Sequence, residues 1–170
     1  MDTAQKPDAA FEETLCRMVD TWQIPLLRTC CAILGSEELA KDAVQETFLK
    51  AFRALPAFRG ECSEKTWLMR IAVNVCRDML RGSWFRMIDR SVHPDRLPEP
   101  VCMPSDEDRL LMESILALPV KQREVILLYY YHGMSTKEIA RALGISQPSV
   151  SGRLRSAKKQ LSRLLKEEIP

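Results

Sequence analysis

The sequence predicts an all-α protein of two small helical domains joined by a flexible linker, the C-terminal one containing a helix-turn-helix. Three observations predict it. Apolar residues recur at three- and four-residue spacing through most of the chain, with almost no strand-type alternation. That periodicity fails between Gly82 and Asp106, an acidic stretch holding Pro94, Pro98, Pro100 and Pro104, which reads as a linker. Beyond it, a short capped helix, a glycine and a basic helix succeed one another. The expected division is a first domain over 1–81, a linker over 82–106 and a second domain over 107–170.

Each element has its own signal. Phe11, Leu15, Met18, Val19 and Trp22 are spaced as one helix face. Pro25 is expected to break or kink the helix at that point, so that Leu26 to Leu34 forms a separate short helix closed by Gly35. Ser36, with Glu37 and Glu38 after it, caps a helix that runs to about Leu55 and stops before Pro56. Phe58 to Glu64 reads as a loop, and Lys65 to Arg81 as a helix with Trp67, Leu68, Ile71, Val75 and Met79 near one face. After the linker, Val125, Ile126, Leu128 and Tyr129 mark a supporting helix. Ser135 and Glu138 match a capping box, Gly144 supplies a left-handed turn, and Ser146 caps the last helix, with Pro148 in its first turn. Val150, Leu154, Ala157, Leu161 and Leu164 make its buried stripe.

Charge separates the two ends. Met1 to Arg81 carries 11 basic and 12 acidic residues, Gly82 to Glu107 carries 3 and 5, and Asp108 to Pro170 carries 11 and 6. The positive field lies at the C-terminus, where a phosphate backbone would meet it. The last helix exposes Ser149, Ser151, Arg153, Arg155, Ser156, Lys158 and Lys159, donors suited to phosphates or base edges in a major groove.

Two stripes in the first domain differ in character. Asp42, Gln45 and Glu46 share an outward face at i, i+3 and i+4, which suits a basic protein surface or an ordinary solvated face. The segment from Phe58 to Arg81 instead combines the aromatics Phe58 and Trp67 with the basic residues Arg59, Lys65, Arg70, Arg77 and Arg81, and sets Asn74 among apolar residues. Basic side chains with aromatics suit single-stranded DNA, whose bases stack and whose charge is neutralised; core packing for Trp67 and a buried amide for Asn74 are the alternatives.

Several classes have no support. The six cysteines contain no C-x-x-C spacing, and neither His93 nor His132 sits at ligand spacing from one, so no metal or cofactor is expected. No apolar run approaches the ~18 residues of a membrane span, which points to a cytoplasmic protein without direct membrane insertion. No nucleophile–base pair or phosphate-binding glycine loop points to an enzyme.

Taken together, DAVQETFLKAFRAL (Asp42 to Leu55), FRGECSEKTWLMRIAVNVCRDMLR (Phe58 to Arg81) and LPVKQREVILLYYYHGMSTKEIARALGISQPSVSGRLRSAKKQL (Leu118 to Leu161) resemble the extracytoplasmic-function, or group 4, sigma factors of the sigma-70 family. The resemblance covers about Phe11 to Leu165. It implies a subunit that joins core RNA polymerase, recognises −35 and −10 promoter elements and supports promoter melting, in a stress or envelope response. It implies that Asp42, Gln45 and Glu46 dock on the β′ clamp helices, and that the loop from Phe58 to Lys65 and the Asn74 helix capture a flipped −10 base. Arg70, Arg77 and Arg81 then lie near the opened strand. The C-terminal helix-turn-helix reads the −35 element, and the helices before it meet the β flap. An anti-sigma partner, in this family often membrane-anchored, is implied as well. The family commonly carries basic residues where this chain has Ser151 and Ser156, which implies a different −35 preference or more reliance on Arg153 and Arg155.

Overall fold

In a computed structural model, residues 9–82 and 106–168 are described, and they form seven α-helices with no strand among them. The expected linker lies almost wholly outside the described residues.

Helix α1 (Ala9–Leu34) is one long helix that passes through Pro25. The proline alone predicts a break here, and the difference has a physical reason. An internal proline costs about 3 kcal/mol. Against this, both halves of the helix bury apolar side chains, Met18 on one side of Pro25 and Leu26, Cys30, Ile33 and Leu34 on the other, each worth about 1.5–3 kcal/mol for the larger ones. Thr29 also donates its hydroxyl to the Pro25 carbonyl. Gly35, at φ 68°, ends the helix. Ser36 then accepts the Leu39 N–H at 3.3 Å and starts α2 (Glu37–Ala54). A left-handed glycine and a capping serine reverse the chain in two residues, so α1 and α2 pack side by side.

A single 3₁₀ turn (Leu55–Ala57) continues α2 at Pro56. Ser63 caps α3 (Glu64–Arg81) by accepting the Thr66 N–H at 3.1 Å. Leu68, Met69, Ala72, Val73, Val75 and Cys76 form its buried face. The Cys30 thiol of α1 meets Cys76; that hydrogen bond first, and burial second, raise the Cys30 pKa well above its ordinary value.

In the C-terminal half, α4 (Asp106–Leu116) leads through Pro119 to α5 (Val120–Ile126). The last turn of that helix widens into a π-turn over Leu127–Tyr131, closed by the His132 N–H on the Leu127 carbonyl at 3.1 Å. Helix α6 (Thr136–Leu143) begins at the expected capping box: Ser135 accepts the Glu138 N–H and its own N–H donates to the Glu138 carboxylate. These bonds hold the Glu138 carboxyl below the usual carboxylate range. Gly144 adopts φ 64°, and α7 (Gln147–Glu168) comes next. Val150, Leu154 and Ala157 are buried, with Leu161 packed beside them.

The two halves meet in a way that no local sequence signal announces. Helix α6 packs on α3, and α1 packs on both α4 and α5. The buried apolar side chains of both halves form one cluster, from Leu26 and Val73 through Val125 and Ile139 to Ala157.

Replacing Ser135 by alanine should lower unfolding stability by about 1 kcal/mol, the usual worth of an N-cap, measured from urea midpoints at unchanged slope. A change within error would show that the capping box does not carry the helix start.

Candidate nucleic-acid interface

The helix-turn-helix presents a polar, basic face. Ser149, Ser151, Arg155, Ser156, Lys158 and Lys159 are exposed on α7. Gln147 donates to the Thr136 hydroxyl at 2.8 Å and fixes α7 against α6. Not every exposed group is free. The Ser149 hydroxyl is bonded to Ser146 at 2.8 Å. The Lys158 ammonium lies 5.4 Å from the centre of the Tyr130 ring, and the Tyr130 hydroxyl is the main cause of its raised pKa. Arg153, grouped with these residues on sequence, is half-buried, and its Nη1 is buried without a hydrogen-bond partner. The spacing contains the reason: Arg153 adjoins Leu154 and lies three residues from Val150 and four from Ala157, at the edge of the buried stripe.

The acidic stripe faces solvent on α2. Asp42 and Gln45 are exposed and Glu46 half-buried, with Lys50 3.9 Å from Glu46 and 3.8 Å from Asp78. Two further residues belong to it that the charge pattern does not include. Leu49 is 50% exposed and Phe52 38% exposed, and they continue the same stripe at seven residues from Asp42 and Gln45. Phe11 stands edge-on to Phe52, with ring centres 5.1 Å apart. The sequence does hold a signal, two large apolar side chains after acids at helical spacing, but the apolar periodicity of the helix masks it.

Helix α3 divides the remaining residues. The Phe58 and Trp67 rings stack at 4.5 Å with 22° between planes. Arg59, Arg70, Asn74 and Arg81 are exposed, and Arg81 bonds Asp78 at 2.9 Å. Exposure excludes the buried-amide alternative for Asn74. Lys65 and Arg77 are committed elsewhere: Lys65 donates to the His132 carbonyl, and Arg77 grips Glu124 with two bonds of 2.7 and 2.6 Å. Glu124 is 1% exposed and raises the Arg77 pKa, chiefly by this hydrogen bonding and against the effect of burial. The only sequence signal for Glu124 is its place as a charged residue beside Val125 and Ile126.

Adjacent Arg123 reaches four carbonyls: Ala32 and Ile33 at the end of α1 (3.1 and 2.8 Å), and Leu116 and Leu118 in its own half (2.9 and 3.0 Å). A cation on the last carbonyls of a helix satisfies acceptors that have no intrahelical donor and opposes the negative end of its dipole. Burial lowers the Arg123 pKa while Glu124 acts to raise it.

His132 is buried against α1. Thr29 has given its one proton to Pro25, so its oxygen accepts from His132 Nε2. That assigns a neutral ring protonated on Nε2. Burial first, and the Lys65 charge second, lower its pKa from 6.5 to about 4.

A helix-turn-helix with an exposed basic face, a second helical unit with an aromatic–basic helix, and a separate acidic–apolar stripe are the three surfaces of the class of protein that this fold defines, an all-α protein that binds DNA through its helix-turn-helix. A family model of sigma-70 region 2 matches residues 18–86, and one of sigma-70 region 4 matches residues 108–161. The ECF RNA polymerase sigma factor SigL of Mycobacterium tuberculosis is 35% identical over 166 residues, covering 94% of this chain and 93% of its own. A probable RNA polymerase sigma factor, RfaY of Xanthomonas campestris, is 30% identical over 159 residues, 88% of this chain, and the match spans 40% of its length. Among solved structures, CnrH in complex with the cytosolic domain of CnrY is 27% identical with a TM-score of 0.69, over 92% of this chain and 90% of that one. The sigma factor RpoE of Bartonella quintana, in complex with the anti-sigma factor NepR, shares the fold at a TM-score of 0.71 and 21% identity, over 95% of this chain and 99% of that one. The chain belongs to the extracytoplasmic-function sigma factors of the sigma-70 family. Its family is one of transcription initiation factors, not enzymes.

The His132 environment sets a pH dependence. An unfolded histidine binds its proton at about 6.5 and the folded one at about 4, so between these values the unfolded state holds more protons and stability falls as the pH is lowered. The expected loss reaches about 3 kcal/mol across the window. The charged and titratable groups facing the ring are Lys65 and Tyr131, whose ring centre lies 4.8 Å away. Urea midpoints from pH 7 to 4.5 should show this slope, and His132→Asn should flatten it. An equal slope in both proteins would assign the effect to carboxylates.

Proposed function

We propose that this sigma factor delivers core polymerase to promoters through two DNA contacts, one in each half. In this reading the first unit spans 1–81, a tether spans 82–106 and the second unit spans 107–170. Helix α7 reads the −35 element in the major groove with Ser149, Ser151, Arg153, Arg155, Ser156, Lys158 and Lys159 as its donors. Phe58, Arg59, Lys65, Trp67, Arg70, Asn74, Arg77 and Arg81 form the −10 surface, where an unstacked base is captured from the melted strand. The exposed Asn74 between Arg70 and Arg81 carries this reading: the four-, three- and four-residue steps from Arg70 through Asn74 and Arg77 to Arg81 align a base-reading amide with phosphate-binding cations on one helix face.

Asp42, Gln45 and Glu46, extended by Leu49 and Phe52, form the docking stripe for the β′ clamp helices. The helices before the helix-turn-helix meet the β flap. An anti-sigma factor that covers these faces is the proposed inhibitor. Two structural neighbours support this: RpoE is bound to the anti-sigma factor NepR, and CnrH to the cytosolic domain of CnrY. The site of action is the cytoplasm, where core polymerase works, and the occasion is a stress or envelope response. No helix among the described residues is long and apolar enough to cross a membrane. No metal or cofactor is assigned to the chain in this reading.

Run-off transcription with purified core polymerase on a promoter library tests the whole reading. Core-dependent starts are expected, and their alignment yields the −35 and −10 sequences. Absence of any such start overturns it and favours a regulator that binds DNA without joining polymerase. Reversing Asp42 and Glu46 to lysine should weaken core binding by about tenfold or more, 1.4 kcal/mol, with helicity and thermal midpoint retained. Asn74→Ala should reduce promoter opening, monitored by permanganate reactivity, more than core affinity; equal losses would indicate a folding defect instead.

A further inference from the structure

The loop between Phe58 and Lys65, to which the −10 reading gives base capture, is held at its two feet and not between them. Among the described residues, no hydrogen bond or ion pair reaches Arg59, Gly60, Glu61 or Cys62. Gly60 turns the chain at φ 72°. The first foot is Phe58, whose N–H bonds the Leu55 carbonyl at 3.0 Å and whose ring stacks on Trp67. The second is Ser63 and Glu64, where α3 begins. Ser63 caps the helix, and Glu64 is tied across to α1. Arg17 donates two N–H groups to its carboxylate, at 3.2 and 2.6 Å, and the Trp22 indole N–H donates a third bond at 2.8 Å.

Stability does not account for this clamp. The Arg17 side chain is 56% exposed, and an exposed ion pair contributes little to folding. Farther along the same two helices, Leu26, Cys30, Val73 and Cys76 already belong to the buried core. A carboxylate at a DNA-reading edge also repels phosphate unless a cation neutralises it. Arg17 supplies that cation, and its hydrogen bonding, against the effect of burial, holds the Glu64 carboxyl below the usual carboxylate range. What the clamp controls is orientation. Two N–H groups from one guanidinium fix the plane of a carboxylate, and the indole bond adds a third constraint. Glu64 is the first residue of α3, so its position sets where the chain leaves the loop.

We propose that Arg17, Glu64 and Trp22 are positioning residues for the −10 contact. They aim residues 59–62 from the second foot, so that a flipped base meets a preset surface and not one that must be ordered on binding. None of the three side chains has a place in the proposed DNA contacts; they act through the loop. This rests on the reading of that loop as part of the −10 surface.

Cys62 lies in the loop, half-buried, and its thiol reports how the loop stands. On the full chain without DNA, iodoacetamide labelling of Cys62, separated from the other thiols by peptide mass mapping, should run about fivefold faster or more in Glu64→Ala than in the wild type. Labelling of exposed Cys16 should not change. Joined to core polymerase on a promoter library, the same variant should keep core affinity and −35 preference. Its starts should lose base preference at −10 by about fivefold or more. Arg17→Lys, which keeps the ion pair, should stay near the wild type. Arg17→Ala should lose −10 preference in the same direction, and the double alanine variant should lose little beyond Glu64→Ala. Should Glu64→Ala lose helicity, Glu64→Gln, which keeps the shape and drops the charge, is read in the same ways. Unchanged Cys62 labelling in a folded variant overturns the proposal, as do additive losses in the double variant or equal losses at −10 and −35. Faster labelling with −10 preference intact overturns the positioning role. Absence of any start from the wild type would instead overturn the sigma-factor reading, while the Cys62 comparison needs no polymerase.

Discussion

The arrangement of the two halves depends on one buried carboxylate. Glu124 stands in an apolar helix beside Val125 and Ile126, which are core residues, and a charge so placed must be paired or its helix must face water. Arg77 pairs it from α3, and that requirement fixes α3 against the C-terminal half. Neighbouring Arg123 then points at the end of α1, so two consecutive residues of α5 engage two different helices of the N-terminal half. Removing one partner from a buried ion pair costs about 3–5 kcal/mol when the other charge stays buried. If the halves separate, both charges are rehydrated and that penalty is largely avoided. A contact of this type holds a domain interface in register and still permits it to open, unlike a purely apolar seam.

The elements that sequence can place are those set by local chemistry. Ser36, Ser63, Ser135 and Ser146 accept N–H groups three residues ahead, and each marks a helix start within a residue or so. Gly35 and Gly144 need a positive φ and sit where helices end. The capping box is legible for the same reason, since its bonds span three residues, and the buried stripe of α7 is legible from its three- and four-residue periodicity although the helices it packs on are distant in sequence. The expected break at Pro25 does not occur, because that expectation weighs only the local loss of a hydrogen bond. The burial of Leu26, Cys30 and Ile33 against distant helices outweighs that loss.

What sequence cannot place is what distant residues do to one another. Arg77 and Glu124 are 47 positions apart, and Thr29 and His132 are 103 apart. Nothing in either neighbourhood announces the other. Basic residues on α3 therefore read alike, although the fold separates exposed Arg59, Arg70 and Arg81 from engaged Lys65 and Arg77. Leu49 and Phe52 show the opposite failure. Their pattern is visible, but an apolar residue on a helix is assigned to the core by default, and only the packed structure reveals that this stripe is left uncovered.

The two halves also differ in how much recognition they can supply on the proposed reading. On α7, Ser149 is bonded to Ser146, Lys158 leans on Tyr130, and Arg153 is half-buried, so Arg155 and Lys159 remain as the exposed cations of the face, beside Ser151 and Ser156. A hydroxyl can accept or donate and so tolerates several bases, whereas a bidentate arginine contributes about 1–3 kcal/mol of discrimination at one base pair. A face with few free arginines anchors the protein on phosphate more than it specifies sequence. The finer choice then falls to the −10 surface, where Asn74 offers an amide donor and acceptor to an unstacked base. Lys65 and Arg77 of that surface are held by the His132 carbonyl and by Glu124, so Arg59, Arg70 and Arg81 are the exposed cations that accompany Asn74 there, and the interaction that positions the two halves also limits which cations that contact can use.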